Sequence, residues 1–213
     1  MNIKQKIIII TLIILSTSSL SLAVIKHAFP SGKKPSEQTN LSQQSEIPAT
    51  ERILLKTALY RQTDPRWKDQ RIGGSFEKIE DVGCTLSASS MALSHFGFNF
   101  DPATLNKALI AKRGYTKRGW LIWKAISKVT DHRVQVFIPR KVNYTHIDKA
   151  LKANQPVLVK VKYFGMFNHW VIVVGKQGKE YLIKDPLGKT SDVEKLSKFT
   201  SGIYAIRIFI YTK

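Results

Sequence analysis

The sequence predicts an α+β domain, helices first and an antiparallel sheet after them, on three observations. Apolar residues recur at helical spacing between residues 84 and 153. β-Branched and aromatic runs bounded by turn residues fill 156–211, and Gly175-Lys176-Gln177-Gly178-Lys179 between two of those runs has the length and composition of a hairpin loop.

Taken in chain order, the first segment is not fold-like. Lys4 and Lys6 precede an apolar run from Ile7 to Leu15, broken only by Thr11, and a small-residue end with Ser21 and Ala23 follows. That is the layout of a secretory signal. Read on to Ile25, the same stretch is just long enough for an uncleaved membrane anchor, so residues 1–25 are expected to be a signal peptide or an anchor. Residues 26–51 are rich in Ser, Gln, Thr and charge and contain Pro30, Pro35 and Pro48, the composition of a flexible linker. The folded domain is then 52–213, exported and either secreted, periplasmic or tethered to the membrane outside the cytoplasm.

Within it, Ala88, Met91, Ala92, His95 and Phe96 share a helical face in a segment that opens at Cys84 and stops at Gly97. Asp101 as cap and Pro102 at the first turn predict a helix over 102–111. Leu121, Ile122, Ala125, Ile126 and Val129 predict another over 119–129. Thr145, with Asp148 three residues on, has the form of a capping box that opens a fourth over 145–153. The strands expected are 156–161, 170–174, 181–183 and 203–211.

Composition narrows the function classes. The 213 residues are 43% hydrophobic, too apolar for a disordered chain. A lone cysteine, Cys84, excludes an internal disulfide framework and Cys-rich zinc or iron–sulfur sites, and no histidine spacing suggests a metal, so neither cofactor nor metal is expected. The net charge of +19 is uneven: residues 101–213 carry 22 basic and 7 acidic groups. Such a field favours anionic partners. In an exported protein without nucleic-acid motifs, these are an anionic membrane or cell-wall surface rather than nucleic acid.

The chemistry centres on three residues at the ends of predicted elements. Cys84 follows Gly83 at a helix start, where free amides and the helix dipole favour a thiolate. His169 opens the strand that begins His169-Trp170-Val171, and Asp185 lies just past Tyr181-Leu182-Ile183. If those strands pair as a hairpin, His169 and Asp185 meet at one end of it. An imidazole oriented by a carboxylate and facing a cysteine on a helix tip is the arrangement of a thiol acyl-transfer enzyme. Each residue alone reads more readily as packing or as a turn former; their joint order and placement carry the argument. Glu80 and Asp81 add negative charge near Cys84 and oppose a thiolate unless they face solvent.

The strings Tyr60-Arg61-Gln62-Thr63-Asp64-Pro65-Arg66-Trp67, Gly83-Cys84-Thr85 with Ser87 and Met91, Gln155-Pro156-Val157, His169 to Gly175, and Asp185-Pro186 resemble the papain-like bacterial cysteine peptidases related to the bacteriocin-leader (double-glycine) processing peptidases. The resemblance implies a papain-like fold and a peptide or protein substrate. It also implies Cys84 as nucleophile, His169 as general base, Asp185 orienting the imidazole, and Gln62 in the oxyanion hole. Those processing peptidases are usually fused to a transporter, and no ATP-binding cassette is present in this chain, so leader cleavage is not implied. The reading is an exported peptidase or amidase acting on a peptide or isopeptide bond. Its alternatives are a catalytically idle papain-like domain that binds a peptide or envelope polymer, and another thiol acyl-transferase such as a wall amidase or transglutaminase.

Overall fold

The computed structural model describes residues 52–189 and 192–212; the expected signal or anchor and the linker lie outside them. Seven strands form one antiparallel sheet: β1 (Arg52–Leu54), β2 (Val134–Phe137), β3 (Val157–Tyr163), β4 (Phe167–Gln177), β5 (Glu180–Lys184), β6 (Glu194–Lys195) and β7 (Ala205–Tyr211). Their order is β2-β7-β3-β4-β5-β6, and β1 pairs with the end of β4 that β3 does not reach. Gly175 is needed there because a β-carbon would strike the backbone of Ile53 as β1 crosses.

The helices are α1 (Ile79–Val82), α2 (Cys84–His95), α3 (Pro102–Ala111), α4 (Lys124–Val129) and α5 (Tyr144–Lys152). Alternation along the central strands gives the sheet two apolar faces. Leu158, Ile172, Val174 and Phe209 face α2, α3 and α4 through Leu86, Met91, Leu105, Leu109 and Ile126. Val157, Val159, Val171, Val173 and Ile208 face α5 through Ile147, Ala150 and Leu151. Burying side chains on both faces makes β3 and β4 read as near-continuous apolar runs, although the pairing is antiparallel. Among the described residues no helix is long and apolar enough to cross a membrane.

The α+β class is as the sequence predicts, and α3 has the expected bounds, with the Asp101 side chain accepting from the Thr104 amide at 2.7 Å. Two helices differ. The segment expected to be helical from 119 begins at Lys124, because Gly119 has φ of 76° and the Trp120 amide donates to the Thr116 hydroxyl, closing a loop around the Tyr115–Leu121 bridge. The cap of α5 is Asn143, whose Oδ1 accepts from the Thr145 amide at 2.8 Å. Asp148 is not a capping partner: it is buried and ion-paired to Lys176 at 2.7 Å. Trp67 packs in the core, its indole N–H donating to the Arg61 carbonyl at 2.8 Å.

Candidate active site

The site lies where the amino-terminal end of α2 meets the β4–β5 hairpin. Cys84 is the first residue of α2, so its amide is among the helix donors that have no acceptor within the helix. Gly83 makes this placement possible: a β-carbon would collide with the Ile79 carbonyl and side chain, so only glycine lets α1 fold back tightly enough to start α2 here. Cys84 is buried, the residue being 9% exposed.

His169, on β4, is paired across the sheet with Val161 of β3 and is 2% exposed. Its Nε2 donates to Asp185 Oδ1 at 2.7 Å, and it is also hydrogen-bonded to the Cys84 thiol. With Nε2 on the carboxylate, Nδ1 is the nitrogen left for sulfur. The rings of Tyr163 and Phe199, at 5.4 and 5.9 Å from the imidazole, screen the pair from water. Asp185, just past β5, is held on both oxygens. Oδ1 also accepts from the Leu187 amide at 2.8 Å, and Oδ2 accepts from Lys198 at 2.7 Å.

Electrostatics follow from these contacts. Burial alone would lower the His169 pKa, but the hydrogen bonds and charges of Asp185 and Cys84 outweigh it and push it up to about 9. Burial would raise the Cys84 thiol. The hydrogen bond and charge of His169, the Trp170 amide and the Thr85 hydroxyl reverse that and hold it below the ordinary thiol value. Asp185 is likewise opposed by burial, yet His169, Lys198 and the Leu187 amide lower it to about 2. Both shifts favour a thiolate beside an imidazolium over a neutral thiol beside a neutral imidazole. Neither Glu80 nor Asp81 contributes to the shift of Cys84. Glu80 is engaged with Lys78 at 3.3 Å, and burial followed by Glu80 and Glu77 raises the Asp81 carboxyl.

Gln62 is 1% exposed and straps the two halves of the site together. Its backbone N–H donates to the Pro186 carbonyl at 3.1 Å, and its side-chain Nε2 donates to the Glu80 carbonyl at 2.7 Å, just ahead of Cys84. An amide nitrogen has two hydrogens, so the second remains for another acceptor. The four residues singled out in the sequence are thus brought to one locus.

Two residues of this locus escape sequence reasoning. Lys198 joins Asp185 to Glu194, at 2.7 Å from each. Arg61 donates to the carbonyls of Asp185 and Gly188. No motif marks Lys198 among the other basic residues of the chain, and within the Tyr60–Trp67 string Arg61 is set apart only by its adjacency to Gln62.

Comparison with known proteins agrees with this architecture. The Peptidase_C39 like family model matches residues 55–207. The chain belongs to the Peptidase C39-like family. Among solved structures, it is similar to a protein described as a candidate C39-like peptidase from Bacillus anthracis, with a TM-score of 0.51 and 14% identity over 76% of this chain and 99% of that one. At that identity the likeness speaks to the α+β papain-like fold alone. No curated protein matches the chain. Family membership suggests a cysteine peptidase at the level of class; residues 55–207 of the C39-like domain span Gln62, Cys84, His169 and Asp185.

Proposed function

We propose that this C39-like domain is an exported cysteine peptidase that hydrolyses a peptide or isopeptide bond through an acyl-enzyme on Cys84. The observation that carries the reading is His169, hydrogen-bonded to Cys84 on one side and at 2.7 Å from Asp185 on the other. Export rests on the amino-terminal pattern of basic residues, apolar run and small-residue end.

In the proposed cycle Cys84 Sγ attacks the carbonyl carbon, and the C=O π electrons move to oxygen. The second Nε2–H of Gln62 and the Cys84 amide stabilise that oxyanion; one such donor is worth about 3 kcal/mol where it has been removed. His169 delivers its proton to the leaving nitrogen as the C–N bond breaks. Water then attacks the thioester while His169 takes up its proton, the C–S bond breaks, and the thiolate–imidazolium pair returns. Asp185 holds Nε2–H throughout and keeps the ring aimed at sulfur.

The test is hydrolysis of a fluorogenic peptide library by the full chain, beside Cys84→Ala and His169→Ala variants of unchanged melting temperature. Loss of turnover on the order of 10^4-fold in either variant is expected. Turnover that survives Cys84→Ala contradicts the mechanism. A wild-type protein that cleaves nothing while it binds peptides points to the idle binding domain.

A further inference from the structure

Several lysines packed into this fold are ion-paired with acids. Lys176 pairs with Asp148, Lys198 with Asp185 and Lys184 with Asp192. Arg207 of β7 has no carboxylate of the described residues within ion-pair distance. Its Nη1 donates to its neighbour's carbonyl, Ile206, at 2.7 Å, and its Nε is buried without a hydrogen-bond partner. Burial is what lowers its pKa.

The guanidinium packs beside two indoles that touch each other. Its Cζ lies 5.0 Å from the Trp123 ring centroid and 5.2 Å from that of Trp170, and the two rings meet edge to face at 5.3 Å. Aromatic rings attract a cation but accept no conventional N–H bonds from it, so beyond the Ile206 carbonyl the guanidinium donors have no protein acceptor among the described residues. All three side chains are partly exposed, so the cluster opens to solvent. It reaches the site through the Trp170 backbone, whose N–H is hydrogen-bonded to the Cys84 sulfur, while the Trp170 ring lies on the opposite face of the sheet from His169. Cross-strand pairing puts Lys160 opposite Trp170 on the same face of the sheet, a second cation beside the first.

We infer that Arg207, framed by Trp123 and Trp170, is a subsite for a carboxylate of the peptide substrate next to Cys84. The inference rests on the peptidase reading above. A partly desolvated guanidinium with unmatched donors gains most from a planar anion that takes two N–H bonds at once, which a carboxylate does. The carboxylate is either the substrate's carboxyl terminus or an Asp or Glu side chain near the scissile bond.

The test uses the full chain and two alkylating probes that differ in charge. Iodoacetate and iodoacetamide both label a thiolate, so the ratio of their rates at Cys84 reads the local preference for an anion. That ratio is expected to fall about fivefold in Arg207→Met, by the Coulomb energy of one nearby charge in an environment of intermediate dielectric. Arg207→Lys, which keeps the charge, should retain most of it. An unchanged ratio in Arg207→Met, with iodoacetamide still labelling Cys84, overturns this inference and spares the peptidase reading. A Cys84 that iodoacetamide does not label overturns both.

Should Arg207→Met lack a cooperative melt, the wild-type protein decides by protection of Cys84 with Ala-Ala-Ala, its carboxyl-terminal amide, and the amide of Ala-Glu-Ala. Stronger protection by the free acid assigns a terminal carboxylate, and stronger protection by the Glu peptide assigns a side chain. Equal protection by all three, or none, overturns the subsite.

Discussion

Asp185 does two things at once: it orients His169 and, with His169 and Lys198 both bonded to it, it stays ionised. One oxygen takes the imidazole N–H at 2.7 Å and the other takes Lys198 at 2.7 Å, so the carboxylate stays ionised although it is buried. Its pKa of about 2 lies below the ordinary carboxylate value, so its contribution to stability is present above about pH 4 and is lost as pH falls through about 2. Replacing Lys198 with Met removes a cation from Asp185 and from Glu194 together, which raises the carboxyl. The acid limb of Cys84 alkylation is then expected at higher pH than in the wild type, measured as rate against pH between 2 and 6. Coincident acid limbs would mean that Lys198 braces the fold without tuning the carboxylate. His169 works with the opposite sign. Its pKa is raised to about 9, so its contribution to stability is complete below about pH 6.5 and is lost as pH rises through about 9.

At the level of elements, α5 is fastened to the sheet by a buried ion pair, where the sequence suggests only a capped helix on an apolar face. Lys176 of β4 and Asp148 of α5 are each 1% exposed at 2.7 Å, and the Tyr181 hydroxyl donates to the same Asp148 oxygen at 2.7 Å. Removing one member leaves the other charged in an apolar layer, which costs about 3–5 kcal/mol, whereas replacing both with apolar residues of similar volume is far cheaper. Urea unfolding of Asp148→Leu, Lys176→Met and the double variant checks this. The double variant should be more stable than either single one, and additive losses would show that the two charges do not act as a pair.

The same scale shows what the sequence reveals and what it hides. Long elements with a single period, α2, α3 and the β3–β4–β5 meander, are legible because burial alone dictates their pattern. The segment before α4 misleads because Leu121, Ile122, Ala125 and Ile126 keep helical spacing through a loop in which Gly119 has positive φ. Strands of two to four residues, β1, β2 and β6, are too short to show a period. Cys84, His169 and Asp185 are legible because chemistry-bearing residues stand at element ends. Arg61, Lys198 and Arg207 are not, since scattered basic residues of a chain with 34 Lys and Arg look alike until the fold shows what each of them touches.

For the whole molecule, the site sits at a junction between the sheet and the helical layer that carries α2, and its groups come from both sides. Cys84 belongs to the helices, His169 and Asp185 to the hairpin, and Gln62 bonds to Glu80 on one side and Pro186 on the other. A shift of either layer would part the thiol from the imidazole, so the state of Cys84 reports on the assembled fold as well as on its chemistry. The most direct test is the rate of iodoacetamide labelling of Cys84 against pH on the full chain, beside His169→Ala. The account predicts a wild-type inflection well below about 8.5, the ordinary thiol value, and a shift to that value or above in the variant, where burial is no longer opposed. A wild-type inflection at or above 8.5, or the same inflection in both proteins, would contradict an activated Cys84–His169 pair.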